Sequence, residues 1–465
     1  MTEHAPEETR ESAMARTART VRTVRTVRTV RTTPLHSVHA AAGASFTDFG
    51  GWQMPLRYAS DLAEHHAVRR SAGIFDLSHM GEVKVTGSGA AAALDHALVG
   101  RISKVALGRA RYTMIVAEDG GVIDDLIVYH VGDQEYLVVP NAGNRERVAA
   151  ELVARCAGFD CEVADISLTM ALIAVQGPRA EEILRGVIDS GAGIPAALRP
   201  EEGAPADDGD CGPDVLCGPT ILRRLRYYAA VRAVAAGHSI LLARTGYTGE
   251  DGFELFCGAE DAVDLWTVIV GHAAALPPGD DDAGGKPLPA LTPCGLAARD
   301  SLRLEAGMPL YGHELTEETT PYDASLGAVV KLDKPEFVGR QALAARAARE
   351  GSEGTRQLVA LAGEGRRAAR AGCEVRGHED RRGHHLRPAV PHPRPPDRPG
   401  AAGARLLRGP AVGGGHGPQG RRARPLLPHE SRHRALLPAR ALRPPPAVPT
   451  SCPERKGNRH APSAH

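Results

Sequence analysis

Aromatic residues are scarce in this chain: they make up 4% of its 465 residues, tryptophan occurs twice, and no Phe, Trp or Tyr lies between Arg366 and the end. A segment so composed cannot stack bases as single-strand binders do. The eight cysteines form no C-x-x-C pair and no regular framework, which argues against a zinc ribbon, a dithiol redox site or a disulfide scaffold and favours a reducing compartment. No apolar run approaches the roughly 20 residues of a membrane-spanning helix. No charged, apolar and cleavage-site succession opens the chain. A soluble, cytoplasmic protein without a membrane partner is expected, or a mitochondrial matrix protein in a eukaryote. There is also no Walker loop, no G-x-G-x-x-G between a strand and a helix, no zinc spacing and no nucleophile elbow, so nucleotide, metal and serine-hydrolase readings fall.

The formal net charge of zero hides three regions. Residues 366–465 carry 21 Lys+Arg against 6 Asp+Glu, whereas residues 34–365 carry 28 against 46. An acidic body argues against nucleic acid as a partner, because duplex affinity rests on phosphate neutralisation by Lys and Arg. The apolar fraction of 42% is ordinary for a chain with room for two or three domains.

Neither end reads as fold. From Ala15 to Thr32 a tripeptide repeats, with Arg at every third position from Arg16 to Arg31. That period fits neither helix nor strand. Residues 1–32 are read as a disordered low-complexity arm, with an Arg-rich transit peptide as the alternative and Met14 as another possible start. Residues 376–465, rich in Arg, Pro and His, bury too little apolar surface to offset their ordering entropy and are expected to be a disordered tail.

Between them the pattern is mixed. A helix is expected from Ser60, its cap, to about Ala72, ended by Gly73. A strand follows over EVKVTG, then a helix ended by Gly100. Residues 111–140 read as an antiparallel meander whose turns fall at Glu118-Asp119-Gly120-Gly121 and Gly132-Asp133-Gln134. Further on come a helix over 142–157, a strand and helix around Gly177-Pro178, a surface insertion at 199–219, a strand pair around RTGYTGEDGFEL, and a second loop at 277–290. A helix over LAARDSLRLEAG ends at Gly307. Meanders without repeating βαβ units indicate an α+β fold.

Within the meander, GGVIDDLIVYH sets Asp124 and Asp125 in a β-branched run, where Asp is disfavoured. Side chains alternate along a strand, so Asp124 should share a face with Val122, Leu126 and Val128, and Asp125 with Ile123, Ile127 and Tyr129. Only one carboxylate can enter a given cavity. There it could orient an amine, accept a proton or stabilise a cation. The bland reading has both acids capping the strand or pairing with surface arginines. The glycines of RTGYTGEDGFEL could let backbone approach a ligand, though a glycine hairpin with solvated acids looks the same. Arg299 and Arg303 share a helical face, from which one could clamp a carboxylate, or both could join an ion-pair network.

Six ordered blocks, FTDFGGWQMPLRY, IFDLSHMGEV, RYTMIVAEDGGVIDDLIVY, ARTGYTGEDGFEL, GLAARDSLRLEAGMPLYGHEL and FVGRQAL, closely resemble the aminomethyltransferase family, the T proteins of the glycine cleavage system. The resemblance implies a folate-binding domain over 33–330 with mixed or antiparallel sheets and flanking helices. It implies transfer of the aminomethyl-derived one-carbon unit from the dihydrolipoyl arm of the H protein to tetrahydrofolate, a co-substrate, giving 5,10-methylenetetrahydrofolate and ammonia without a metal. The lipoylated H protein, glycine decarboxylase and dihydrolipoamide dehydrogenase would be system partners. It further implies that Asp125 is the catalytic acid, and that Met80, Tyr112, Asn141, Tyr247, Glu254 and Arg299 contact the folate.

The chain departs from the family twice. Ala328 stands where an aromatic usually follows the Leu-Gly of PYDASLG. The C-terminal β-barrel is largely missing: residues 331–375 are read as a linker and its remnant, after which the Arg, Pro and His text takes over. A translated shifted reading frame is expected to account for it, and the coding DNA around Arg370 would decide.

Overall fold

The computed structural model describes residues 30–192, 215–279 and 287–349, together with three strands at 356–362, 405–410 and 424–426. A hairpin of β1 (Ser45–Phe49) and β2 (Trp52–Arg57) opens the fold. Ser60 then caps the helix Asp61–Arg70, its hydroxyl accepting the Ala63 N–H at 3.4 Å. That helix stops at Ser71, earlier than Gly73, because Gly73 already opens β3 (Gly73–Asp76), where a Cβ would sit 2.5 Å from the Val68 side chain. Strand β3 ends on buried Asp76, which accepts the Thr33 hydroxyl at 2.6 Å and meets His39 Nε2 at 2.9 Å. The first described helix, His36–Ala41, is thereby tied to the sheet.

Strand β4 (Val83–Thr86) and the helix Ala90–Ala97 lead into the meander. Its strands β5 (Ala110–Val116), β6 (Val122–Gly132) and β7 (Glu135–Val139) pair antiparallel, as the alternation predicts. Positive φ falls on Gly120 in the first turn and on Gln134 in the second; Gly132 remains within its strand. With β8 (Glu162–Asp165) they form a five-stranded sheet ordered β5-β6-β7-β4-β8. The helices Ala90–Ala97 and Arg145–Cys156 cover its outer face, sealing a core that includes Val85, Leu94, Ile115, Val128 and Leu152. Each such side chain contributes roughly 1.5–3 kcal/mol by leaving water.

The second layer is an eight-stranded sheet. It joins β3 to β9 (Met170–Gln176), β10 (Ile188–Ala192), β11 (Val215–Cys217), β12 (Ala230–Ala235), β13 (His238–Ala243), β14 (Gly252–Gly258) and β15 (Thr292–Pro293). Residues 215–219, expected to close a surface insertion, instead form β11 and the start of the helix Gly218–Arg224, with Pro219 in its first turn; residues 193–214 lie outside the described residues. The helices Ala180–Leu184, Gly218–Arg224 and Ala262–Ala274 pack on the outer face.

The two sheets meet through a third core that holds Phe75, Tyr129, Leu172 and Phe256. An antiparallel bridge between Arg109 and Ala229 links them at one edge. The result is α+β in layers, helix, sheet, sheet, helix, with open sheets and no closed barrel among the described residues. The arm before residue 30 lies outside the described residues. Two pieces of the span expected to be a disordered tail, β17 (Arg405–Pro410) and β18 (Arg424–Leu426), pair antiparallel with β16 (Arg356–Ala362). This pairing uses main-chain groups and so needs none of the aromatics that the tail lacks; the rest of the tail lies outside the described residues.

Candidate functional site

Between the sheets lies a cavity of about 770 Å³. Strands β5 and β6 supply Tyr112, Asp125, Ile127 and Tyr129, the turn after β7 supplies Asn141, and Met80 comes from the loop after β3. From the other layer, Tyr247 and Glu254 enter with the β13–β14 connection and β14 itself, and Arg299 projects from the helix Leu296–Ala306. Residues 308–331 close one side, with Ala328 among the lining groups where the family resemblance leads one to expect a ring. All of the residues expected to contact folate, together with Asp125, therefore meet in one cavity, drawn from elements up to 219 positions apart, from Met80 to Arg299.

The two acids are separated as the pleat requires. Asp124 is fully buried on the helix side of the sheet. It accepts the Asn141 main-chain N–H at 2.8 Å, the Asn141 side-chain amide at 2.9 Å and the Asn144 amide at 2.8 Å. It thus secures the turn that leads into the helix Arg145–Cys156. Asp125 points into the cavity, accepting the Tyr112 hydroxyl at 3.0 Å and the Asn141 amide at 2.8 Å. Asn141 bridges both carboxylates. Burial raises the pKa of both acids; for Asp125 the hydrogen bonds from Tyr112 and Asn141 pull against it, leaving it pushed up to about 6.

Two expectations about faces fail. Ile123 does not share a side with Asp125: it packs with Leu126 and Val128 against the covering helices. Val122 does not share one with Asp124: it packs with Met114 and Val116, and Met114 is the register partner of Asp125. The cause is a β-bulge, for Ile115 pairs with Asp124 while Val116 pairs with Val122, leaving Ile123 as the extra residue. The bulge sits immediately before the acid pair and sets the face on which each acid falls.

Arg299 and Arg303 divide the two roles open to them. Arg303, 2% exposed, bonds Asp300 at 2.8 Å, Glu314 at 2.7 Å and the Met308 carbonyl at 3.1 Å. Arg299 has no hydrogen-bonded or ion-paired partner among the described residues; its guanidinium lies over the Tyr247 ring, 4.5 Å from the centroid, and lines the cavity. Such a cation is a ready clamp for a ligand oxygen or carboxylate. Tyr247 is held in turn by its hydroxyl, which donates to the Pro309 carbonyl. Burial raises the Glu254 pKa against the hydrogen bonds from the Thr245 and Tyr129 hydroxyls.

The glycines of RTGYTGEDGFEL act differently from a ligand cradle. A Cβ on Gly246 or on Gly252 would strike the Gln176 side chain, at 1.9 and 2.5 Å. Gln176 in turn donates to the Thr245 carbonyl at 3.0 Å, so both glycines make room for a buried amide that fixes the hairpin. Gly249 meets the turn's need for positive φ, at 79°.

Sequence reasoning missed several lining residues. Tyr129 spends its hydroxyl on Thr245 and Glu254, and alternation alone puts it on Asp125's face. Tyr227, Tyr228 and the cationic groups Lys104, Arg109 and Arg111 also line the cavity, with no local pattern to mark them. Among the described residues no cluster of three or more His, Cys, Asp or Glu is placed to hold a metal. No described helix is long and apolar enough to cross a membrane.

The family model for the GCVT N-terminal domain matches residues 35–195 and 217–334. An aminomethyltransferase of Corynebacterium jeikeium is 51% identical over 335 residues, covering 72% of this chain and 78% of that one. One from Thermus thermophilus is 41% identical over 333 residues, covering 72% and 82%. Among solved structures, the glycine cleavage system aminomethyltransferase T from Bartonella henselae superposes with a TM-score of 0.59 at 32% identity, covering 77% of this chain and 84% of that one.

Proposed function

The chain belongs to the GCVT aminomethyltransferase family, and from that premise we propose that it transfers the aminomethyl-derived one-carbon unit from the dihydrolipoyl arm of a glycine cleavage H protein to tetrahydrofolate. The products are 5,10-methylenetetrahydrofolate and ammonia. Glycine decarboxylase and dihydrolipoamide dehydrogenase complete the system, and its setting is the bacterial cytoplasm.

The observation that carries this reading is the placement of Asp125. It is a carboxylate in a cavity of about 770 Å³, aimed by Tyr112 and Asn141, with the cation Arg299, which has no hydrogen-bonded or ion-paired partner among the described residues, in the same wall. That volume suits a ligand the size of a folate, since pockets for such molecules span about 300–1,000 Å³. Tetrahydrofolate enters as a substrate, with Arg299 and Glu254 taking its polar groups and Tyr247 and Met80 its rings.

The transferred carbon exchanges its C–N bond to ammonia and its C–S bond to the lipoyl arm for bonds to the two folate nitrogens. Their two protons leave with ammonia and with the freed thiolate, and no electrons are exchanged. Asp125, ionised above pH of about 6, stabilises the cationic carbon that forms when ammonia departs and makes the folate nitrogen a better nucleophile. The low-dielectric walls strengthen that interaction relative to water.

The test is ammonia release from aminomethylated H protein with tetrahydrofolate, alongside equilibrium folate binding. Asp125→Asn should abolish release and leave folate binding measurable. Wild-type turnover in this variant would overturn the assignment.

A further inference from the structure

Tyr228 follows the helix Gly218–Arg224, ahead of β12, with φ at 58°, a left-handed conformation that is unfavourable for any residue with a Cβ and rarest for bulky ones. Gln134 and Ala236, which share that conformation, sit in tight connections between paired strands. Tyr228 is instead held at the seam of the two sheets. Its N–H donates to the Arg244 carbonyl at 3.0 Å, and its carbonyl accepts the Ala110 N–H at 2.9 Å. The strain delivers the side chain into the cavity.

What the phenol does there is left open by the protein itself. Tyr112, Tyr129 and Tyr247 each donate to a protein acceptor. The Tyr228 hydroxyl has no hydrogen-bond partner among the described residues; its ring meets only that of Tyr227, edge to face at 4.9 Å. Burial together with the neighbouring acids Glu254 and Asp125 raises its proton affinity, so it remains a donor throughout the neutral range. The wall around it is rich in acceptors, Asp125 and Glu254, which suit the N–H groups of a reduced pterin. A pterin edge also presents one carbonyl, its 4-oxo group, and that group needs a donor.

We infer that Tyr228 is a ligand-contacting, specificity-determining residue whose hydroxyl donates to the 4-oxo group of the folate and so distinguishes 4-oxo from 4-amino pterins. This rests on the folate-dependent reading above. A 4-amino analogue offers a donor at that position, from which the phenol oxygen can only accept, so the buried O–H is left without an acceptor, the arrangement that such sites reject most strongly.

The experiment compares the full-length protein with Tyr228→Phe, measuring equilibrium affinity for tetrahydrofolate and for its 4-amino analogue, together with the thermal midpoint without ligand. The expected result is an approximately tenfold loss of tetrahydrofolate affinity, little change for the analogue, and an unchanged ligand-free midpoint because no protein hydrogen bond is removed. Unchanged tetrahydrofolate affinity, an equal loss for both ligands, or a lowered ligand-free midpoint would each overturn the inference. Absence of binding of either compound to the wild-type protein would instead overturn the folate reading on which it rests.

Discussion

Asp125→Asn should make the ligand-free protein more stable at neutral pH while removing its chemistry. Burial moves the carboxyl from an ordinary 3.8 to about 6, opposed by the hydrogen bonds from Tyr112 and Asn141. At about 1.4 kcal/mol for each pH unit, keeping it ionised at pH 7 costs the folded state about 3 kcal/mol relative to the unfolded chain. The folded chain binds this proton more tightly, so the contribution of Asp125 to stability falls as pH rises from about 4 to about 6, and the loss persists above that window. A neutral asparagine avoids the cost. It fits its two donors less well than a carboxylate does, so a net gain of about 1–2 kcal/mol is expected, a rise of a few degrees in thermal midpoint. Melting curves of both proteins at pH 7.5 and at pH 4.5 provide the assay. The gain should be present at the higher pH and nearly gone at the lower one, where the folded carboxyl is protonated and only about 1 kcal/mol of the cost remains, because the unfolded chain is still largely ionised. A variant less stable than wild type at pH 7.5, or a gain equal at both pH values, would refute the argument that catalysis here is bought with burial of a charge.

The two arginines of LAARDSLRLEAG offer a contrast on one helix. Arg303→Met leaves Glu314 buried without its cation and should cost about 3–5 kcal/mol in denaturant unfolding; a cost below about 1 kcal/mol would contradict the ion-pair account. Arg299→Met breaks no protein hydrogen bond, so its midpoint should stay close to wild type while the KM for tetrahydrofolate rises by about tenfold or more; an unchanged KM would remove Arg299 from the site. Lys334, 2% exposed, donates to the carbonyls of Asp95, Leu98 and Gly100 at 2.6, 2.5 and 2.8 Å, fastening the segment that closes the cavity to the end of the helix Ala90–Ala97. Lys334→Met should cost about 2–4 kcal/mol, read from the denaturant midpoint, and a loss within 0.5 kcal/mol, roughly the level of a neutral surface change, would deny the clamp its role.

Features carried by local chemistry were legible before any coordinates. The Ser60 cap, the alternation through β5, β6 and β7, and the Gly307 stop at φ 73° each depend on a few neighbouring residues. The residues named from the family blocks also line one cavity. What was illegible depends on partners far along the chain. Lys334 lies 239 positions from Asp95, and Tyr129 lies 125 from Glu254. A lysine before Pro335 and a tyrosine at a strand's centre carry no local sign of such partners. Tyr228 is harder still, because nothing in a Tyr-Tyr pair announces a left-handed main chain.

The acid pair shows how a local anomaly can have a long-range cause. Two aspartates weaken a strand, and alternation explains why they divide rather than why both persist. The structure supplies the missing step through Asn141, whose main-chain N–H and side-chain amide both reach Asp124 and whose amide also reaches Asp125. Asp124 fixes the turn that holds Asn141 in place, and Asn141 then orients the acid that faces the cavity. The outward acid is therefore a positioning group for the inward one. Asp124→Asn would lose the carboxyl that gathers three N–H donors, and an amide must turn one of its own N–H groups toward them. It should consequently lower kcat by about tenfold, with folate KM nearly unchanged and the acid limb of the kcat profile shifted, since Asp125 would lose the partner that aims it. A variant with diminished folding stability but a wild-type kcat and acid limb would leave Asp124 a purely structural residue and sever the link between the two.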